Sequence, residues 1–92
     1  MIQSFGDRAT GRLWMGEFVR RFGGIEKQAL RKLDMLHQAG SLNDLRVPPA
    51  NRLEALGGNR RGEHSIRIND QWRICFKWTK EGPAHGEIVD YH

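Results

Sequence analysis

The stretch Trp72-Arg73-Ile74-Cys75-Phe76-Lys77-Trp78 decides the fold, because a bulky apolar residue occupies every second position. Successive side chains of a β-strand point to opposite faces, so this alternation predicts a strand whose two faces differ. The apolar face consists of Trp72, Ile74, Phe76 and Trp78. The other face consists of Arg73, Cys75 and Lys77. We expect the apolar face to form the core and the basic face to stay open to solvent.

The sequence on either side of this strand predicts further strands joined by short turns. Candidate strands cover 52–56, 64–68 and 87–91, and candidate turns cover 69–71 and 80–83. Because short turns join antiparallel neighbours, the second half of the chain is predicted to form an antiparallel meander. In the strand that precedes the central one, Ile66 and Ile68 extend the core face and Arg67 lies on the open face.

The first half of the chain predicts helices. Asp7 is a candidate N-cap for a helix over 8–21, which Gly11 and Gly16 weaken. Apolar residues recur every three to four positions in a second helix over 25–39, and 2–5 is a candidate first strand. The sequence therefore predicts one α+β domain over 1–92, with two to three N-terminal helices packed on one face of the sheet.

Composition and charge restrict the class of protein. A chain of 92 residues with 38% hydrophobic residues is too apolar to be disordered, and its apolar runs are too short to span a membrane. No signal-peptide pattern is visible, so we expect a cytoplasmic protein without a membrane partner. Fifteen Lys and Arg residues against eleven Asp and Glu residues give a net charge of +4. Eleven of these cations are arginines, whose planar guanidinium fits phosphate, and this favours nucleic acid as the partner.

Two groups of residues are candidates for binding and chemistry. Candidate phosphate ligands are the strand residues Arg67, Arg73 and Lys77 and the loop residues Arg60 and Arg61. The final residues Asp90, Tyr91 and His92 supply an acid, a phenol and an imidazole, which suit the proton transfers of RNA cleavage. The alternatives are a solvated basic face and an ordinary strand end. The pattern contains no metal-ligand spacing and no nucleotide-binding loop, so we expect neither a metal nor a cofactor.

The sequence resembles the HigB-type toxins of the RelE/ParE superfamily, the plasmid-maintenance killer proteins of type II toxin–antitoxin pairs. The resemblance rests on the segments 53–60, 65–76 and 87–92 and on the opening residues 1–5. It implies a RelE-like microbial-RNase fold, with helices on a curved antiparallel sheet. It also implies a metal-independent, ribosome-dependent endonuclease that cuts mRNA in the ribosomal A site. The implied partner is a HigA-like antitoxin, through which alone the complex would contact promoter DNA.

The resemblance also implies roles for individual residues. Arg73 matches the family arginine that contacts the scissile phosphate, and the last three residues, 90–92, match the C-terminal active-site cluster. Some relatives carry a His and a Lys where this sequence has Glu54 and Gly57. Glu54 could act as the base in place of that His, or it could be structural.

Two other function classes remain open at this point. A ParE-like toxin that inhibits gyrase would share the fold, because fold does not determine function. A non-catalytic module that binds RNA or only its antitoxin would also use a basic surface. The acid, phenol and imidazole at 90–92 favour the nuclease, because a toxin that only binds a protein needs no groups for proton transfer.

Overall fold

A computed structural model describes residues 1–91 of the chain. Two α-helices precede a four-stranded sheet in which every neighbouring pair of strands is antiparallel. The helices are α1 (Arg8–Trp14) and α2 (Glu26–Gln38), and the strands, in spatial order, are β1 (Glu54–Ala55), β2 (His64–Arg67), β3 (Trp72–Thr79) and β4 (Gly82–Asp90). The predicted α+β meander is confirmed. Within residues 1–91, no helix is both long enough and apolar enough to cross a membrane.

The helical half matches the prediction at the second helix and departs from it at the first. A carboxylate oxygen of Asp7 accepts a hydrogen bond from the backbone N–H of Thr10 at 3.4 Å, as expected of an N-cap. The helix then ends at Trp14 instead of continuing to residue 21, because Gly16 adopts φ +91° and turns the chain out of the helical path. The second helix buries the side chains of Ala29, Leu33 and Leu36.

The predicted first strand, 2–5, is reduced to one parallel bridge between Phe5 and Gly86. The backbone of this segment lies along the outer side of β4. The N–H of Gln3 donates to the carbonyl of Pro83 at 2.8 Å, and the N–H of Gly6 donates to that of Gly86 at 2.8 Å. The opening segment therefore covers the sheet edge without forming a full strand.

The last strand begins at Gly82, whereas the alternation predicts a start at residue 87. A register shift explains the difference: Cys75 pairs with Glu87 but Lys77 pairs with Ala84, so β4 has one extra residue here. This residue count is that of a β-bulge, which interrupts the period of two. His85 lies within the shift with φ +56°. The predicted strand 52–56 is only two residues long in the structure, because the backbone of Arg52 is left-handed, with φ +45°.

The apolar face of β3 forms the core, as predicted. Ile74 and Phe76 are fully buried, and Trp72 is 9% exposed. The ring of Trp72 meets the ring of Phe22 edge to face, with 5.6 Å between centroids. Ile66 on β2 is also fully buried, so the two central strands and the helices share one hydrophobic cluster.

The prediction of an open second face is wrong for most of its residues. Ser65 and Cys75 have no exposed surface, and Arg73 is only 8% exposed. The guanidinium of Arg60 binds the carboxylates of Glu63 and Glu87, each at 3.1 Å. Since Glu87 is the register partner of Cys75, this ion-pair network lies beside the thiol. Lys77 remains exposed.

The thiol of Cys75 is expected to be unreactive in the folded protein. Burial is the main cause that raises its pKa, so a smaller fraction is the reactive thiolate at pH 8 than in an exposed cysteine. We expect an aromatic disulfide reagent to modify the native chain at least about tenfold more slowly than the urea-unfolded chain. Because the chain has a single cysteine, the absorbance change reports this residue alone. Equal rates in the two states would contradict the burial described here.

Candidate functional site

An open cavity of about 280 Å³ lies where the β2–β3 turn meets the end of β4. Its lining consists of Arg52, Arg67, Asn69, Asp70, Arg73 and Tyr91. Among residues 1–91, three arginines therefore line one cavity together with a single acidic residue, Asp70. A small polar cavity with this excess of positive charge is suited to an anionic group such as phosphate.

Arg67 and Arg73 stand directly opposite each other on the neighbouring strands β2 and β3. They therefore lie on the same face of the sheet, as the alternation predicts. Like charges in this position destabilise a sheet unless other groups compensate them. The guanidinium of Arg67 forms a hydrogen bond and ion pair with Asp70. The side chain of Asp70 is almost fully exposed, so solvent screens this attraction and the cavity keeps its positive character.

Arg73 is fixed by the protein on one side of its guanidinium. Its Nε donates to the hydroxyl of Ser65 at 2.8 Å, and its Nη2 donates to the carbonyl of Arg52 at 2.6 Å. A carboxylate oxygen of Glu54 lies 3.6 Å from Nε, too far for a strong hydrogen bond but close enough for an ion pair. The guanidinium carbon lies 5.6 Å from the centre of the Tyr91 ring. These contacts set the position of the side chain before any ligand binds.

Nη1 of Arg73 makes no hydrogen bond within residues 1–91. Because Arg73 also lines the cavity, the side chain combines a held position with donor capacity that the described residues do not use. A buried arginine whose other donors are satisfied is the arrangement expected of a preorganised anion ligand.

The C-terminal cluster is placed in part. The backbone N–H of Tyr91 donates to the carbonyl of Gln71 at 2.6 Å, which ties the chain end to the β2–β3 turn. The amide of Gln71 also donates to the carboxylate of Asp90 at 3.1 Å. Tyr91 is 45% exposed and lines the cavity, whereas Asp90 lies next to it at the end of β4. His92, the third member of the predicted cluster, lies outside the described residues.

Three of the predicted phosphate ligands lie away from the cavity. Arg60 is bound to Glu63 and Glu87, as described above. Arg61 is exposed after the short turn over 58–60. Lys77 lies four residues along β3 from Arg73, about 13 Å at the usual rise of a strand. The structure therefore brings together Arg67, Arg73 and Tyr91 and leaves the other three cations outside the cavity.

The sequence prediction missed Arg52 and the turn residues Asn69 and Asp70 as members of the site. The sequence did indicate Asn69 and Asp70, because the turn that follows the strand of Arg67 must lie near the side chain of Arg67. It did not indicate Arg52, because 52–56 was predicted to be a regular strand. A left-handed arginine cannot be identified from residue type.

A buried amide holds the segment that precedes Arg52. Asn51 has no exposed surface, and its amide nitrogen donates to the carbonyl of Leu45 at 3.1 Å. Its amide oxygen accepts from the ammonium of Lys32 at 2.6 Å. Burial lowers the pKa of Lys32, and the neighbouring charges of Arg31 and Arg67 lower it further. Helix α2 is therefore connected through a polar contact to the border of the cavity.

Comparison with known proteins identifies relatives for most of the chain. A family model for the RelE-like toxin of the type II toxin–antitoxin system HigB matches residues 18–92. Toxin HigB-1 of Vibrio cholerae serotype O1 is 46% identical over 68 residues, which cover 74% of this chain and 70% of the relative. An uncharacterized protein of Haemophilus influenzae is 46% identical over 54 residues, which cover 59% of this chain and 54% of that protein.

A solved structure with the same fold is the YoeB–YefM complex from Staphylococcus aureus. Its matching chain superposes with a TM-score of 0.58 at 18% identity, covering 100% of this chain and 98% of that one. At this identity the similarity supports the fold alone. It agrees with the arrangement of helices and antiparallel strands described above.

Proposed function

Because the chain belongs to the HigB family of RelE-like toxins of type II toxin–antitoxin systems, we propose that it stops growth by cutting mRNA in the ribosomal A site. The observation that supports this proposal most directly is the cationic cavity. There the held guanidinium of Arg73 lies opposite Arg67 and beside Tyr91. The proposed place of action is the cytoplasm, where the ribosomes are.

RNA cleavage by internal transfer needs three groups around one phosphate. A base takes the proton of the 2′-hydroxyl, whose oxygen attacks phosphorus, and an acid protonates the departing 5′-oxygen. A cation stabilises the charge that grows on the phosphate oxygens between these two events. The reaction yields a 2′,3′-cyclic phosphate on one fragment and a 5′-hydroxyl on the other.

The residues of the site can be assigned to these tasks. Arg73 braces the scissile phosphate, because its other donors are already satisfied by Ser65 and Arg52. Tyr91 stacks on or orients an mRNA base, since it lines the cavity and nearly half of its surface is exposed. Asp90 and His92 share the proton transfers. Glu54 is the alternative base, since its carboxylate lies 3.6 Å from Arg73.

The remaining cations are proposed to contact other phosphates of the RNA backbone. Arg61 and Lys77 are exposed and can bind phosphate directly. Arg67 can bind phosphate at the cavity in exchange for its exposed partner Asp70. Arg60 would have to give up Glu63 or Glu87 first, so its contribution is expected to be the smallest.

The proposed protein partner is a HigA-like antitoxin that keeps the toxin inactive. Membership of a toxin–antitoxin family supports this partner. The Staphylococcus aureus chain with the same fold was solved as part of a YoeB–YefM complex. Promoter DNA would be contacted only through the antitoxin in such a complex.

Primer extension on a reporter mRNA in a reconstituted translation reaction tests the proposal. We expect cuts at A-site codons in the presence of ribosomes and none in their absence. Growth arrest without cuts, accompanied by DNA damage, would instead identify a gyrase inhibitor. Growth arrest without cuts or DNA damage would identify a module that acts by binding alone.

Deletion of His92 alone tests the assignment of proton transfer. Loss of a general acid or base typically lowers the rate about 100- to 10,000-fold, and removing the last residue of the chain should cost little stability. The matched variant is Glu54→Gln, which removes the alternative base and keeps its shape. Full cleavage by the truncated chain together with loss in Glu54→Gln would transfer the role of base to Glu54. Full cleavage by both variants would exclude both residues.

A further inference from the structure

Arg52 has an unusual backbone for an arginine. Its φ of +45° and ψ of +55° lie in the left-handed region, which side chains other than those of Gly, Asn and Asp rarely adopt. Such a conformation persists only where the surrounding structure holds it, and it is concentrated at functional sites. Here the backbone N–H of Arg52 donates to the carbonyl of Pro49 at 3.0 Å, and the preceding Asn51 is fully buried.

This conformation gives Arg52 two contacts at the same site. Its carbonyl accepts the 2.6 Å hydrogen bond from Nη2 of Arg73, and its side chain lines the cavity. The position of one cation therefore depends on the backbone of another. Glycine would adopt this backbone more easily, so backbone preference does not explain why an arginine occupies this position.

The charges around the cavity point to the same residue. Arg67 pairs with Asp70, and Arg73 has Glu54 at 3.6 Å. Arg52 forms no ion pair within residues 1–91, although its side chain is exposed at the cavity. Among the three lining arginines it therefore has the least compensated charge.

We propose that Arg52 is a further phosphate ligand of this cavity beside Arg73 and Arg67, presented by the same left-handed backbone that holds Arg73. This inference rests on the proposed cleavage of RNA and adds a residue to it. The two guanidinium groups reach the cavity from different parts of the chain, β3 and the residue that ends the short helical turn over 49–51. Two arginines that approach from different directions can bind more oxygens of a phosphodiester than one can.

Single-turnover cleavage of ribosome-bound mRNA tests the inference with three substitutions of one residue. We expect Arg52→Ala and Arg52→Gly to lower the rate similarly, about 10- to 100-fold, because both lose the guanidinium. The cleavage rate of Arg52→Lys should lie between the rates of these two variants and that of the natural chain, since an ammonium keeps the charge without the planar fork of a guanidinium. The control is Lys80→Ala, which removes the same charge just beyond the far end of β3, about 20 Å from Arg73 at the rise of a strand. Its cleavage rate should stay within about twofold of that of the natural chain.

The two small substitutions separate the side chain from the backbone. Arg52→Gly should unfold at a temperature equal to or above that of Arg52→Ala, because glycine relieves the left-handed conformation. If Arg52→Gly cut at the rate of the natural chain while Arg52→Ala did not, the backbone alone would matter and the inference would be overturned. Equal rates for Arg52→Ala and Lys80→Ala would overturn it as well.

A binding measurement distinguishes this inference from the proposed function. The probe is a ribosome-bound mRNA with a 2′-O-methyl group at the cut position, which permits binding without cleavage. Loss of one phosphate contact should reduce the slope of log affinity against log salt by about one for Arg52→Ala. If the natural chain does not cleave but this slope still falls, cleavage is refuted and the phosphate ligand stands. An unchanged slope refutes the ligand, whatever the cleavage assay shows.

Discussion

Replacement of Arg73 by alanine is expected to lower the rate of mRNA cleavage at least about 100-fold. Among the three arginines that line the cavity, Arg73 is the one that is both buried and held by the protein, through the hydroxyl of Ser65 and the carbonyl of Arg52. Such a group needs little rearrangement when charge develops on the scissile phosphate. Its loss removes transition-state stabilisation that an exposed, mobile cation could not replace.

The same substitution is expected to lower the free energy of unfolding by about 1–3 kcal/mol. From the sequence alone, Arg73 lies on an open face, and its removal should leave the fold intact. The structure changes this expectation, because the carbonyls of Ser65 and Arg52 both lose a donor when the side chain is cut back. Cleavage must therefore be measured below the melting temperature of the variant.

Arg73→Lys is the matched control for this experiment. Lysine keeps the charge, but one ammonium cannot hold Ser65 and Arg52 and also reach a phosphate with the geometry of a fork. We expect partial recovery of the melting temperature and less than about a tenth of the natural cleavage rate. Natural cleavage by a folded Arg73→Ala chain would remove Arg73 from the mechanism.

Replacement of Phe76 by alanine is expected to cost about 3–5 kcal/mol of the free energy of unfolding. The side chain is fully buried at the centre of β3, and its ring stacks on His64 with 6.4 Å between centroids. The whole free energy of unfolding of a small domain is only about 5–15 kcal/mol, so this variant would populate the unfolded state far more than the natural chain.

Lys77→Ala provides the internal control, because the neighbouring residue is exposed. Substitutions of this kind usually change stability by no more than about 0.5 kcal/mol. Urea denaturation of both variants measures the difference directly. A loss below about 1 kcal/mol in Phe76→Ala would contradict the assignment of this face to the core.

The core could be predicted from the sequence because it depends on a strict period. The alternation places Trp72, Ile74 and Phe76 on one face of a whole strand, and all three are buried in the core. The prediction failed where a single residue breaks the period. The register shift around His85 interrupts the alternation, so the first part of β4 was not predicted as a strand. Gly16 ends α1 earlier than the pattern of apolar residues predicts.

The opposite face shows a different limit. Its residues were placed on the correct side of the sheet, but their exposure was predicted from residue type. Arg73 contacts Arg52 and Tyr91, and Cys75 lies beside the ion pair of Arg60 with Glu87, so the surroundings of both residues come from distant parts of the chain. No local pattern reports such a contact.

The candidate site could be predicted only in part, for the same physical reasons. Arg67 and Arg73 share a face because of the register of two adjacent strands, which short turns make predictable. Arg52 joins them because its own backbone is left-handed and the preceding Asn51 is buried. A pattern of residue types reveals neither feature. The chemical roles at 90–92 followed from the residue types and from family resemblance, and they stay predictions.

The opening segment has a consequence for how the molecule behaves at high concentration. An exposed strand edge offers unpaired N–H and C=O groups to other chains and promotes aggregation. Within residues 1–91, one side of the sheet ends in the two-residue strand β1, which is too short to template another chain. The nine-residue strand β4 on the other side is capped by the bonds from Gln3 and Gly6. The sheet is thus protected on both sides against growth into larger β-assemblies.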